Sequence, residues 1–149
     1  MSTISDIFNK PSTRIPYQQG IKNATEGKKF LEENKQKPGV VTTESGLHYK
    51  VINKGSGSKP KSTDEVEVNY RGTLLNGLEF DSSYQREKPA KFKLDQVIAG
   101  WTEGLQLMSK GSKFEFYIPP ELAYGRTGTT GKIGPNATLV FEVELLDIN

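Results

Sequence analysis

Alternation of apolar and polar residues predicts strands over much of the chain. Leu47, Tyr49 and Val51 alternate with His48 and Lys50, which is the period of a half-buried strand. Further strand signals, rich in Val, Phe and Leu, follow at short intervals. They are EVEVNYR (65–71), LEFDSS (78–83), AKFKL (90–94), KFEFYI (113–118) and TLVFEVELLDI (138–148). The pattern therefore predicts a set of antiparallel strands.

Helical spacing occurs in one segment of this strand-rich region, VIAGWTEGLQLM (97–108). Its apolar residues recur every three or four positions. They are Val97, Ile98, Trp101, Leu105 and Met108. One helix against several antiparallel strands is an α+β arrangement, in which the helix lies across one face of the sheet.

The N-terminal third has a different pattern. Residues 1–16 contain Pro11 and Pro16 among Ser, Thr and Asn, which favours a flexible arm. A helix is predicted from Gln18 to Lys37, weakened by its glycines at 20 and 27 and ended by Pro38 and Gly39. Its apolar stripe is thin and comprises Ile21, Ala24, Phe30 and Leu31. We expect an N-terminal arm and linker over residues 1–45 and the main domain over residues 46–149.

Composition limits the class of protein. At 149 residues the chain has room for one domain and an extension. Hydrophobic residues at 34%, charged residues at 26% and a mean hydropathy of -0.59 are typical of a soluble globular protein. No segment has the pattern of a signal peptide or a membrane span. We therefore expect no membrane association and a cytoplasmic location, or a periplasmic one if the chain is a processed mature form.

Several kinds of chemistry lack the residues they need. The absence of cysteine excludes disulfides, thiolate catalysis and cysteine-ligated zinc. His48 is the only histidine, and strand parity places it towards solvent, which disfavours a Ser-His-Asp or histidine metal site. Asp64, Glu65 and Glu67 are expected to form a solvated stripe rather than a carboxylate pair. Lysines are spread along the chain without an arginine and aromatic cluster, so no nucleic-acid partner is expected.

The glycine-rich segment AYGRTGTTGKIGP (123–135) raises the question of a phosphate-binding loop. That motif needs four residues between its glycines and a Ser or Thr after the Lys. Here five residues separate Gly125 from Gly131, and Ile133 follows Lys132. A nucleotide-binding loop is therefore disfavoured.

Aromatic residues lie beside turn residues in an unusual number. They are Tyr70, Phe80, Phe92, Trp101, Tyr124 and Phe141, and Asp81 directly follows Phe80. These side chains either fill a barrel-like core or line an apolar ligand pocket with a few polar groups. Trp101 and Tyr124 favour the pocket, because each carries a polar atom that needs a partner when buried.

Three long blocks of the sequence resemble the FKBP-type peptidyl-prolyl isomerases, the macrolide-binding family. They are GSKPKSTDEVEVNYRGTLLNGLEFDSS, QVIAGWTEGLQLMSKGSKFEFYIPPELAYG and IGPNATLVFEVELL, within a match over residues 47–148. The preceding segment FLEENKQKPGVVTTESGLHYKVINKGSG is similar to the junction in bacterial members related to the macrophage infectivity potentiator. The resemblance implies a curved antiparallel sheet wrapped around one short helix, with an N-terminal helical or flexible extension.

The resemblance also implies a proline-binding pocket with Trp101 as its floor, bordered by the glycine-rich loop as a flap. Its catalytic set would be Tyr70, Phe80, Asp81, Ile98, Trp101, Tyr124 and Phe141, with Val97, Phe92, Ala90, Thr129 and Ile133 contacting the substrate. Asp81 has a second interpretation, in which it anchors Tyr70 or another wall residue. Ala90, Thr129 and Lys132 depart from residues common in the family, and the first leaves one side of the pocket more open.

The function implied is acceleration of X-Pro rotation in folding polypeptides, with no cofactor and no metal. A non-catalytic chaperone or scaffold module that binds proline segments is the alternative. Macrolide inhibitors are a further class of expected ligand. A monomer is favoured, because the N-terminal arm is too short for the dimerising stalk of related proteins, although a dimer through the arm stays open.

Overall fold

Two helices and seven strands make up the part of the chain that the computed structural model describes, residues 11–129 and 131–149. Side chains are described from residue 17 onward within those ranges. The helices are α1 (Pro11–Asn34) and α2 (Ala99–Leu105). The strands are β1 (Val40–Thr42), β2 (His48–Asn53), β3 (Glu65–Leu74), β4 (Glu79–Ser82), β5 (Ala90–Lys93), β6 (Lys113–Ile118) and β7 (Leu139–Ile148). Single 3-10 turns cover Leu94–Gln96 and Pro120–Leu122.

The strands form one curved antiparallel sheet in the order β1-β2-β6-β7-β3-β4, and β5 pairs with the first half of β3. Strands β3 and β7 pair along their whole length, from Val66 opposite Ile148 to Leu74 opposite Leu139. Every second residue is buried from Val66 to Gly72 and from Leu139 to Leu145, as the alternating pattern predicts. The predicted α+β fold with one short helix on the sheet is confirmed.

Helix α2 packs closely on the inner face of the sheet because its contact face includes glycine. A Cβ on Gly104 would lie 2.6 Å from the ring of Phe116, so only glycine permits this approach. Trp101 and Leu105 lie on the same buried face of the helix. They carry its apolar contacts into the core.

The helix is shorter than the spacing of its apolar residues predicts. Val97 and Ile98 precede it with extended backbone, and Met108 follows its last turn. These residues still pack on the core, because they continue the apolar surface on either side of a seven-residue helix.

Helix α1 begins earlier than predicted. It starts at Pro11, a residue that the first turn of a helix tolerates because its missing N–H has no partner there. The prediction of a flexible arm to residue 16 is therefore wrong for residues 11–16, which are helical, while residues 1–10 lie outside the described part. The helix ends at Asn34, three residues before the predicted end at Lys37.

The most deeply buried residues of α1 are small or polar, and only part of the predicted apolar stripe lies beside them. Gly20, Gly27 and Asn34 recur every seventh residue and are buried, whereas Ile21 is 52% exposed and Ala24 is exposed. The glycines that weaken the helix as an isolated segment allow its backbone to approach the domain. The expected stripe is wrong for Ile21 and Ala24, because apolar periodicity does not register a glycine contact, whereas Phe30 and Leu31 are half-buried.

His48 is buried and does not face solvent as predicted. Its ring is 5% exposed, and its Nδ1 lies 3.4 Å from the amide nitrogen of Asn34 on α1. The same helix also contacts the sheet through Phe30, whose ring centroid lies 6.0 Å from that of Tyr117. The strand-parity argument failed because α1 covers this outer part of the sheet.

Burial lowers the pKa of His48 from its usual 6.5, and the positive charge of Lys35 lowers it further. The ring therefore stays neutral over most of the physiological range. A buried neutral histidine beside an asparagine is a packing element of the α1 contact.

The acidic residues of β3 face lysines of β5. Glu65 lies opposite Lys93, and Glu67 lies opposite Lys91. Within residues 11–129 and 131–149, no three His, Cys, Asp or Glu residues are arranged to hold a metal ion. None of the described helices is long and apolar enough to cross a membrane.

Candidate functional site

A cavity of about 530 Å³ lies between α2, the inner face of the sheet and the glycine-rich loop. Its lining is mostly aromatic and aliphatic, with a few polar atoms, which is the usual composition of a small-ligand site. The lining residues are Tyr70, Phe80, Asp81, Phe92, Gln96, Val97, Ile98, Trp101, Tyr124, Ile133 and Phe141.

Trp101 is held in this cavity by three rings that meet it edge to face. The centroids of Tyr70, Phe92 and Phe141 lie 5.2, 5.3 and 5.3 Å from that of the indole, at interplanar angles of 88°, 84° and 81°. Edge-to-face pairs are the favoured geometry for aromatic side chains. The indole is 4% exposed, and its Nε1 has no hydrogen-bond partner among the described residues. The site thus has a rigid aromatic floor with one donor free.

Asp81 and Arg86 fix the phenol of Tyr70. Tyr70 donates to Oδ2 of Asp81 at 2.5 Å, and Nη2 of Arg86 donates to the phenol oxygen at 2.8 Å. Nη1 of Arg86 and the backbone N–H of Ser82 both donate to Oδ1 of Asp81, each at 2.9 Å. The carboxylate therefore holds one wall of the cavity in place, which is the anchoring interpretation of Asp81.

The ionisation states of this network follow from its contacts. Burial raises the pKa of Tyr70 to about 12, and the hydrogen bond to Asp81 acts in the same direction. Burial acts to raise the pKa of Asp81, but hydrogen bonds from Tyr70 and Arg86 outweigh it and hold that pKa below its usual value. At neutral pH a neutral phenol therefore donates to an ionised carboxylate.

The start of α2 brings a backbone donor to the cavity. Ile98 is the residue before the helix, with extended backbone, and its carbonyl accepts from the N–H groups of Trp101 and Thr102. The N–H of Ile98 has no acceptor among the described residues. An unpaired N–H beside an apolar cavity is available to a carbonyl oxygen of a ligand.

The glycine-rich loop supplies two walls of different character. Ile133 is 5% exposed and fully part of the core, whereas Tyr124 is 39% exposed. The loop is closed at its base by the N–H of Asn136, which donates to the carbonyl of Gly125 at 2.8 Å. A second bond joins the N–H of Thr129 to the carbonyl of Ile133 at 2.8 Å.

All seven residues of the predicted catalytic set line the cavity, as do Val97, Phe92 and Ile133 of the substrate set. Ala90 and Thr129 do not. Ala90 pairs with Val68 in the sheet and packs against the core, and Thr129 is exposed. Contact of Ala90 and Thr129 with a bound substrate stays a prediction.

Two residues of the site were not found from the sequence. Gln96 lines the cavity from the 3-10 turn before Val97, and its position next to the pair Val97 and Ile98 was an available signal. Arg86 reaches Tyr70 and Asp81 from the turn after β4. No local pattern marks it, since its contact depends on how that turn folds.

A larger groove of about 810 Å³ lies between α1 and the turn after β6. Its lining mixes apolar residues with the charged side chains of Lys28, Glu121 and Arg126. It lacks the aromatic floor and the fixed polar network of the smaller cavity. We therefore place the candidate site in the cavity above Trp101.

The sequence matches two family descriptions. Residues 56–146 match the FKBP-type peptidyl-prolyl cis-trans isomerase, and residues 2–51 match the domain amino terminal to that isomerase. The FkpA isomerase of Aeromonas hydrophila is 56% identical over 128 residues, which are 86% of this chain and 47% of that protein. The isomerase Mip of Coxiella burnetii is 52% identical over 126 residues, 85% of this chain and 55% of that protein.

Solved structures agree with the sequence matches. The crystal structure of FkpA from Escherichia coli superposes with a TM-score of 0.89 at 49% identity and covers 92% of this chain and 64% of its own. A peptidyl-prolyl cis-trans isomerase from Pseudomonas syringae gives a TM-score of 0.80 at 38% identity, with 85% and 93% of the two chains covered.

The chain spans about half the length of the FkpA and Mip relatives, between 46% and 55%. Residues 56–146, which match the isomerase family, include α2 and every residue that lines the cavity above Trp101. The chain belongs to the FKBP-type peptidyl-prolyl cis-trans isomerase family.

Proposed function

We propose that this chain is a peptidyl-prolyl cis-trans isomerase that rotates X-Pro bonds in the cavity above Trp101. The observation that carries the proposal is the combination of a buried aromatic floor with the backbone N–H of Ile98, which has no acceptor among the described residues. We expect the aromatic floor to accommodate a proline ring and the N–H of Ile98 to donate to a carbonyl of the bound segment.

The energy required is modest. An X-Pro bond rotates over a barrier of about 18–20 kcal/mol, and a thousandfold acceleration requires a reduction of about 4 kcal/mol. Rotation removes amide resonance and withdraws charge from the carbonyl oxygen. A dry pocket solvates the planar amide poorly, and preorganised contacts supply the rest. No bond is broken, so the reaction needs no nucleophile.

The residues divide into two roles in this mechanism. Trp101, Phe80 and Phe141 hold the proline ring, while Tyr124 and the N–H of Ile98 fix the peptide on either side of it. Asp81 acts through Tyr70, because its oxygens accept from Tyr70, Arg86 and Ser82. Tyr70 then forms a wall of fixed orientation.

The test is the rate of cis-trans exchange of a Leu-Pro or Phe-Pro peptide, measured by NMR with catalytic amounts of the protein. Tyr124→Ala and Trp101→Leu variants are compared after their folding has been checked by circular dichroism. Fast exchange that weakens in both folded variants supports the proposal. Exchange at the uncatalysed rate with the folded wild-type protein contradicts it.

The second candidate is a chaperone or scaffold module that binds proline segments without accelerating their rotation. The same cavity supports it, since fold alone does not decide function. Peptide binding without acceleration in the NMR experiment would select this candidate.

The ligands proposed for the chain are X-Pro-containing polypeptides and macrolide inhibitors. A macrolide must bury apolar surface against Trp101, the only tryptophan of the chain, so its binding is expected to change the intrinsic fluorescence. Competition between macrolide and peptide would place both in the same cavity.

We propose that this chain is a monomer. The buried face of α1 lies against its own domain through Gly20, Gly27 and Asn34, so that face is not available to a second helix. Light scattering on the whole chain and on residues 38–149 tests this, and a mass of two chains for the former alone would restore the dimer through the arm.

The proposed division lies near residue 45, with the isomerase domain over residues 46–149. Strand β1, within the proposed linker, pairs with β2 and extends the sheet. Limited proteolysis tests the division, because a protected fragment from residue 46 onward would support it.

The location proposed is the cell envelope. One relative, from Legionella longbeachae and 50% identical over 126 residues, is named an outer membrane protein. The expected cytoplasmic location has no such support from the relatives' names. Fractionation of cells that express the natural gene would decide between the periplasm and the cytoplasm.

A further inference from the structure

Helix α1 is joined to the glycine-rich loop by two side-chain amides. Nδ2 of Asn23 donates to the carbonyl of Pro135 at 2.8 Å, and Nδ2 of Asn136 donates to the carbonyl of Gly20 at 3.3 Å. Both amides are partly buried. Each segment therefore donates one bond to the backbone of the other, and we name the pair Asn23 and Asn136 the amide clasp.

The segment held by the amide clasp is the base of the loop that borders the cavity. The N–H of Asn136 closes that base on the carbonyl of Gly125, next to Tyr124. Ile133, two residues before Pro135, is 5% exposed and lines the cavity. A displacement of the base would thus move both loop residues that face a bound proline segment.

Asn136 is suited to this place by its backbone as well as its side chain. Its φ is 57°, a left-handed conformation that asparagine tolerates better than most residues. The turn brings its N–H to Gly125 while its side chain reaches back to α1. One residue therefore links the helix, the base of the loop and the start of β7.

Helix α1 itself does not line the cavity within the described residues. Its other contacts, to Tyr117, His48 and Thr138, reach residues outside the cavity lining, so the loop is its direct connection to the site. We infer that α1 is a positioning element of the isomerase site and that the amide clasp of Asn23 and Asn136 holds Tyr124 and Ile133 in place for substrate binding. This inference rests on the proposed function for its effect on rate.

Two substitutions in the full chain remove the amide clasp with little other change. Asn23→Asp keeps the oxygen that accepts from Gln19 at 2.9 Å but removes the donor to Pro135. Asn136→Gly keeps the left-handed backbone without strain and removes the donor to Gly20. The control is Gln18→Glu, which adds the same negative charge at an exposed position of α1.

Three measurements are made on each variant: the KM and kcat for an X-Pro peptide, peptide affinity by Trp101 fluorescence, and amide hydrogen exchange. We expect KM and the peptide Kd to rise about threefold to tenfold with kcat nearly unchanged, the range expected for the loss of one hydrogen bond. The N–H of Asn136 in the Asn23→Asp variant is expected to exchange about tenfold faster. The Gln18→Glu protein should match the wild type in all three.

The outcomes separate the inference from the proposed function. Unchanged exchange at Asn136 would mean that the amide clasp does not hold the loop. Faster hydrogen exchange at Asn136 with unchanged KM and peptide affinity would mean that the loop base does not position the site. A wild-type protein that binds the peptide without accelerating its cis-trans rotation would overturn the isomerase proposal. The peptide affinities of the variants would still decide whether α1 positions the site.

Discussion

Tyr70 of β3 donates from its phenol to the carboxylate of Asp81 on the adjacent strand β4 at 2.5 Å, although Asp81 lies opposite Gly72 in the strand register. Arg86 donates to both residues, which leaves Tyr70 with a single orientation beside the indole of Trp101. An ionised residue therefore supports an apolar pocket by fixing one of its walls.

The first prediction concerns the charge of Asp81. Asp81→Asn keeps the shape of the side chain but weakens its bonds to Tyr70 and Arg86, because bonds to a charged group are the stronger ones. We expect kcat/KM to fall about threefold to tenfold and the unfolding temperature to fall by about 3 °C. Steady-state kinetics and calorimetry on the same preparation provide the two values.

The matched control is Asp147→Asn. Asp147 also accepts from the backbone of the next residue and pairs with a lysine, Lys110, but it lies outside the cavity. Asp147→Asn should leave kcat/KM unchanged.

A double variant tests whether Asp81 acts through Tyr70. If it does, the effects of Asp81→Asn and Tyr70→Phe will not add, and full additivity would contradict that role.

The second prediction separates the cavity from the rest of the aromatic core. Phe80→Leu removes the ring that meets Phe141 edge to face at 5.4 Å, so peptide affinity is expected to fall about tenfold. Phe114→Leu removes a ring stacked on Tyr49 at 5.5 Å, away from the cavity, and should lower only the unfolding temperature. Equal losses of affinity in the two variants would argue against the assigned site.

The third prediction concerns the docking of α1. A Cβ on Gly27 would lie 2.3 Å from Oγ1 of Thr138, so Gly27→Ala should destabilise the protein by about 1–3 kcal/mol. A Cβ on Gly20 meets its nearest atoms at 3.4 Å, and Gly20→Ala should be neutral or stabilise by up to about 1 kcal/mol. Urea unfolding curves measure both changes.

Addition of Thr138→Ala to Gly27→Ala removes the oxygen that an alanine at residue 27 would strike. The double variant should recover most of the lost stability. No recovery would mean that the loss came from something other than this contact.

The fourth prediction concerns pH and His48. Its pKa in the folded protein is lowered below the usual 6.5 by burial and by Lys35, so the unfolded chain binds the proton more readily. The contribution of the neutral ring is complete above pH 6.5 and is lost as the pH falls from 6.5 through the lowered folded pKa. Below that value the contribution no longer changes.

Calorimetry between pH 5 and 8 tests this with His48→Gln, whose side chain does not titrate. The wild-type unfolding temperature should fall more steeply than that of the variant as the pH drops below 6.5. Parallel curves for the two proteins would show that His48 does not titrate differently on folding.

Most strands and the cavity residues were predictable from the chain alone, for a local reason. Strands β3 and β7 bury alternate residues over most of their length, so their pattern can be read from consecutive positions. The aromatic residues lie in long blocks that resemble one family, so the resemblance predicts their positions in the fold.

The surroundings of the site were decided by tertiary structure. Gly27 lowers the stability of an isolated helix. Its role in close packing follows only from its contact with Thr138 in the folded chain. Strand parity predicted the face of the sheet on which His48 lies, but it did not predict that α1 covers that face. Arg86 and Asn136 act through contacts 16 and 116 residues away in sequence. The sequence by itself determined most of the strands and the buried faces of β3 and β7, because these depend on neighbours along the chain. Only the folded chain decided how α1 and the loops support the cavity, because those contacts join residues that no local pattern connects.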